Sequence, residues 1–262
     1  MKKLPQTIGN EVVEQLNDLI GKSDRFRDWD SREIQVLRHR IRELQKVDAR
    51  DAFVRFGALA ALCGRVDDVR EYLRKALTLP DHESTKHEFW ASYCNVGLYR
   101  EAQELGAWLL DPRRGFFTTL WNGCISIGLV RTVAAVHSDA MRLYREELAH
   151  CDFSVLEEAA TVMQERDLHD GDVGAALELA GEVQRAHKIM FTGELATSVK
   201  VIRPPEDLPY LYFAVQLDAP IEEIHAMNRE LARLIAEKMG AYPSGLVVSF
   251  AKALPVEMRA AA

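Results

Sequence analysis

Histidines, thiols and paired carboxylates are the side chains with which this chain could do chemistry. His82 and His87 lie five residues apart beside Glu83 and Glu88. That spacing misses the i,i+4 face on which a helical His-Glu-x-x-His motif holds zinc. His150-Cys151-Asp152 and His169-Asp170-Gly171-Asp172 place ligand types next to one another. Consecutive side chains diverge, however, and a tetrahedral site needs ligands converging from several elements. Asp67-Asp68, Glu146-Glu147 and Glu157-Glu158 read as solvated helix surfaces, because a catalytic carboxylate pair is defined by its separation in space, not in sequence. The chain has no GxSxG elbow, GxxxxGK[ST] loop or GxGxxG fingerprint. Cys63, Cys94, Cys124 and Cys151 form no CxxC pair and sit among apolar neighbours, which predicts buried thiols in a reducing compartment. These readings assign no catalytic, cofactor-binding or metal-ligating residue.

The composition narrows the setting. At 262 residues, 48% hydrophobic and 28% charged, the chain has the balance of a folded protein with a substantial core. Forty acidic residues against 33 basic ones give a net charge of -7, which argues against global attraction to nucleic acid or an anionic membrane. Met1-Lys2-Lys3-Leu4-Pro5 has no apolar stretch behind it, so no secretory signal is expected. The least charged run, Gly115 to Val130, is too short to span a bilayer. A cytoplasmic location follows as an expectation.

The elements that would position these side chains are helices turning at glycine. Gly64, in Leu62-Cys63-Gly64-Arg65-Val66, and Gly97, in Asn95-Val96-Gly97-Leu98-Tyr99, lie 33 residues apart, and Gly128 follows after 31 more. Each is expected to close one helix and open the next. Before them, Ile8, Val12, Leu16 and Leu19 predict a helix over 6–20. Asp30 or Ser31 would cap another carrying Ile34, Leu37, Ile41, Leu44 and Val47. The opposite side of that helix carries Arg32, Arg38, Arg40, Arg42 and Lys46, with no aromatic platform interleaved for base stacking. Trp90 and Trp121 read as recurring packing groups ahead of their corners. The helix after Gly128 is expected to reach Leu148, and a fourth hairpin over 154–189 to turn at Asp170-Gly171-Asp172-Val173.

With Phe56-Gly57…Gly64…Ala76, then Trp90…Tyr93…Gly97…Tyr99…Ala102…Asp111-Pro112, and Gly171…Ala176…Ala180, the chain resembles the tetratricopeptide-like helical repeat superfamily over 52–189. Val69 and Val133 depart from the small residue of the family pattern. The resemblance implies paired antiparallel helices whose inner members bind a peptide or protein segment on a concave surface. The corresponding positions are Asp51, Val54, Ala58 and Leu62 in the first unit, Ser84, His87, Ala91 and Asn95 in the second, and Asn122 in the third. No complete basic-and-asparagine clamp is present.

Beyond residue 193 the periodicity changes from helical to alternating. Strands are expected over Thr197–Ile202, Tyr210–Leu217 and Gly245–Phe250. An amphipathic helix from Pro220 to Gly240 carries Ile224, Met227, Leu231 and Leu234 between the last two, giving the order β-β-α-β. The expected architecture is mainly α, an irregular stack of antiparallel hairpins followed by a small α+β module. Its divisions are N-terminal helices (1–50), repeats (51–193), the β-β-α-β module (194–254) and a tail (255–262). The second sheet face needs cover, from the repeats, from a second copy in a homodimer, or from another protein. The expected function is an interaction or regulatory scaffold for a peptide or protein. The alternative is an enzyme with a pocket between repeats and module that uses His137 or His169.

Overall fold

The computed structural model describes residues 5–80, 82–190 and 197–253. Over these residues the chain is mainly helical and ends in a small α+β module. The helices are α1 (Pro5–Gly21), α2 (Arg32–Gln45), α3 (Ala49–Leu62), α4 (Val66–Ala76), α5 (His82–Asn95), α6 (Tyr99–Leu109), α7 (Phe117–Ser126) and α8 (Val130–Leu143), followed by α9 (Arg145–Leu148), α10 (Ser154–Glu165), α11 (Asp170–Ala186) and α12 (Ile221–Lys238). The strands are β1 (Ser198–Ile202), β2 (Tyr210–Leu217) and β3 (Leu246–Lys252). Packing divides the chain into two compact units. One runs to Leu105 and includes the segment from Gln184; the other runs from Gly106 to Val183 and includes the C-terminal module.

Helical periodicity decides what the first unit buries. Ile34, Leu37, Ile41 and Leu44 recur at three- and four-residue intervals on α2, and all four are buried. They pack with Val12 and Leu16 of α1, Leu59 and Leu62 of α3, and Met190. Asp48 starts α3, its carboxylate accepting the Asp51 N–H at 2.9 Å, a cap worth about 1 kcal/mol. Ser31 occupies the corresponding place before α2 but makes no side-chain cap bond. The α3–α4 hairpin is flanked by α2 and α5, and α3 also packs against α1 and α5. A short extended segment ties the unit together: Phe26 N–H donates to Lys188 O and Met190 N–H to Asp24 O, both at 2.9 Å. The Phe26 ring fills the space that a Cβ on Gly64 would occupy.

Five helix ends close in the same way. Gly64, Gly97 and Gly128 take positive φ of 66°, 66° and 89°, and so do Asp167 at 52° and Lys188 at 56°. At each, the positive-φ residue donates its N–H to the carbonyl three residues back, and the next residue donates to the carbonyl five back. The pairs at the second corner are Gly97 N–H to Cys94 O and Leu98 N–H to Tyr93 O; at Asp167 they are Asp167 N–H to Gln164 O and Leu168 N–H to Met163 O. This double closure satisfies carbonyls that the ending helix leaves without partners.

The fourth hairpin therefore turns at Asp167, not at Asp170–Val173, which form the first turn of α11. The acidic residues there start a helix. Asp172 accepts the His169 N–H at 2.9 Å, where the positive end of the helix dipole favours a carboxylate. Asp170 reaches to the start of α8, accepting the Arg131 and Thr132 N–H groups at 2.9 Å and the Thr132 hydroxyl at 2.7 Å. A second departure falls at Tyr144. Its φ of -121° and ψ of 40° interrupt the helix expected to run through Leu148, and its hydroxyl donates to Pro112 O.

In the second unit β2 is central. β1 pairs with it antiparallel, Val199 opposite Phe213 and Val201 opposite Leu211. β3 pairs parallel, Phe213 opposite Val248 and Val215 opposite Phe250. The expected β-β-α-β order holds because alternation of period two and the α12 stripe are both unambiguous. α12 packs on β3, α10 on β1 and β2, and α7 on β1, so helices of the same unit cover the sheet. At the outer edge the Asn228 carboxamide donates to Phe250 O at 2.9 Å and accepts the Phe250 N–H at 2.8 Å. Arg166 donates to Pro209 O at 3.0 Å and lays its stem against Gly245, whose φ is 84°.

Candidate interaction face

Along α1, α3 and α5 the first helix of each hairpin meets the next, and this is the row to which the resemblance assigns partner binding. Close approach of α3 and α5 depends on Gly57, where an added Cβ would collide with the buried Phe89 ring. On this row Arg55 is the bridging group. Its Nε and NH2 atoms lie 2.9 and 2.8 Å from Asp51 Oδ1, and its NH1 donates to Glu88 Oε2 at 3.2 Å. The Arg55 side chain is only 16% exposed, so the guanidinium is held between two helices instead of ranging through solvent. Beside it, Gly9, Asn10, Val13, Leu44, Asp48, Asp51 and Arg55 line a recess of ≈ 270 Å³.

Eight of the nine positions expected to bind a partner fall on α3 and α5, and they divide by burial. Val54 and Leu62 are 6% and 0% exposed and belong to the core, because α3 is covered by several helices at once. Asp51 is half-buried in the Arg55 bridge and at the recess. Ala58, His87 and Asn95 are half-buried, and Ser84 and Ala91 are exposed. Asn122 is exposed on α7, in the other compact unit. Arg55 and Glu88 were not among the nine, although a signal was present. They lie 33 residues apart, the spacing of Gly64 and Gly97, and so occupy equivalent places in successive hairpins. Arg70 and Glu101, 31 apart, form a second bridge of this kind.

The residues singled out for chemistry stay apart. Among the described residues no group of three or more His, Cys, Asp and Glu side chains converges. His169 is exposed, its Nδ1 3.6 Å from Asp172. His137 lies against Phe153 at a ring distance of 4.3 Å, with Trp121 on the same phenyl at 4.5 Å. Its Nε2 is buried without a hydrogen-bond partner among the described residues. All four cysteines are free thiols. Burial pushes Cys63 and Cys94 up to about 12, the reverse of the shift that activates a nucleophile.

The basic side of α2 differs from the expectation of a strip without aromatics. Trp29 lies under two guanidiniums, with Arg38 4.3 Å and Arg65 4.7 Å from the ring centroid. Tyr72 stacks on Phe56 at 5.0 Å, with Lys75 5.6 Å from its centroid. The aromatic partners come from the loop before α2 and from α4, so the α2 sequence alone does not contain them. No helix of the described residues is long and apolar enough to cross a membrane. Comparison with protein-family models, curated proteins and solved structures gave no match.

Proposed function

We propose that this protein is a non-catalytic interaction scaffold of the tetratricopeptide-like kind, recognising a peptide or protein segment along the α1–α3–α5 row. The observation that carries this reading is the Asp51–Arg55–Glu88 bridge next to an open recess. It holds charged and polar groups in fixed positions on successive helices, where a partner meets an ordered surface and little side-chain entropy is lost on binding. Exposed Ser84 and Ala91 and half-buried Ala58 and His87 supply the remaining contact positions. A cytoplasmic setting accords with four free thiols.

The test uses the full chain and a partner recovered with it, with affinity measured by titration. Ser84→Arg and Ala91→Arg place bulk at exposed positions without touching the core. Each is expected to weaken binding at least about tenfold, the scale of a disturbed interface centre. Unchanged affinity in both variants overturns the assignment of this row. Sedimentation of the same samples distinguishes a foreign partner from a second copy paired through the C-terminal sheet.

A further inference from the structure

We infer that the side of the first unit formed by α2 and α4 is a second docking surface, and that its occupant is an acidic, extended peptide segment of a protein partner. This inference is independent of the α1–α3–α5 row. Arg38 and Arg42 stand one helical turn apart on α2, and neither has a carboxylate within ion-pair distance among the described residues. The other cations of this side are already matched: Arg65 binds Asp68, and Arg74 and Lys75 bind Glu71. In a chain of net charge -7, two uncompensated guanidiniums on one flank leave a local positive field against the overall sign. Both charges reach the Tyr72 phenol across the gap to α4. The Trp29 contact holds Arg38 against the surface, which lowers the ordering cost when a carboxylate arrives.

Carboxylate is favoured over phosphodiester by two features. The indole of Trp29 already carries Arg38 and Arg65, so it does not offer the bare aromatic face on which single-stranded bases stack. Asp68, which acts on the same Tyr72 phenol as Arg38 and Arg42, would repel a continuous phosphate backbone, whereas a short acidic stretch can meet the two arginines alone. Planar guanidinium forks also match carboxylates two hydrogen bonds at a time.

The experiment titrates the full chain with a labelled oligoglutamate peptide at low and at physiological salt, following anisotropy. Binding is expected at low salt and should weaken as salt is added. Arg38→Gln/Arg42→Gln is expected to lose at least about tenfold in affinity. The control, Arg32→Gln/Arg40→Gln, removes the same charge from the other flank of α2 and should stay within about twofold of the parent. Because Arg38 also holds Trp29, Arg42→Gln alone is measured as well. Its side chain is exposed, so the fold is retained, and several-fold weaker binding is expected. Equal losses in the two double variants, no binding at low salt, or an unchanged Arg42→Gln overturns the proposal. So does a single-stranded oligonucleotide that binds more tightly than the peptide at matched ionic strength with the same arginine dependence.

Discussion

At Asp167 and Lys188 the backbone takes the left-handed conformation that glycine takes at the other three corners. For residues with a Cβ this costs on the order of 1 kcal/mol, less for Asp because its short polar side chain tolerates the region. Asp167→Gly and Lys188→Gly should each stabilise their unit by a few tenths to about 1 kcal/mol, offset in part by glycine's greater freedom in the unfolded chain. Gly97→Ala should destabilise by about 1 kcal/mol or more. Denaturant midpoints measure all three, and a loss of stability in both glycine variants would refute the account. These corners also show where reading from sequence stops. Glycine announces positive φ, whereas an aspartate or a lysine does not, so the sequence points to the glycine-containing Asp170–Val173 stretch for the fourth turn. That stretch carries the opposite signal, acidic residues opening a helix.

At the scale of elements, the legible parts were those with a strong period. Val12, Leu16 and Leu19 of α1, the first four positions of the α2 stripe and the β-β-α-β order follow from spacing, since a one-residue shift would turn each apolar set toward water; Val47, expected to continue the α2 stripe, falls past the helix end and is 54% exposed. The candidate face was legible only in part. The resemblance selects Val54 and Leu62 by position, but α3 is surrounded by α1, α2, α4 and α5 and draws both inward. Arg55 and Glu88 become visible only when the 33-residue interval is applied to charged residues as well as to glycines. Gly57 governs the spacing of α3 and α5. Gly57→Ala drives a methyl group into Phe89, which is 1% exposed and has little room to yield. The expected cost is roughly 1–3 kcal/mol, with weaker partner binding through displaced α5. Thermal unfolding of the full chain measures it; an unchanged midpoint would mean that the helices separate without strain.

Taken as a whole molecule, the chain is acidic, and its response to acid depends on carboxylates held by cations. Asp111 is the clearest case. Arg113, through its guanidinium and its N–H, holds the Asp111 carboxyl down at about 2, against 3.8 for the free group. A depressed folded-state value stabilises the fold above the unfolded value, and that contribution is lost as pH falls through about 2. Asp111→Asn should therefore lower stability at neutral pH and converge with the parent in strong acid. Carboxyl-carbon NMR titration of Asp111 checks the value directly, and an unperturbed titration would refute it. The sheet has a consequence at the same scale. A terminal strand normally offers its free amides as a template on which further chains can grow. At β3 the Asn228 carboxamide stands in for a neighbour at Phe250, meeting both its N–H and its C=O as another strand would. An incoming strand would have to evict Asn228 before it gained its bonds to Phe250.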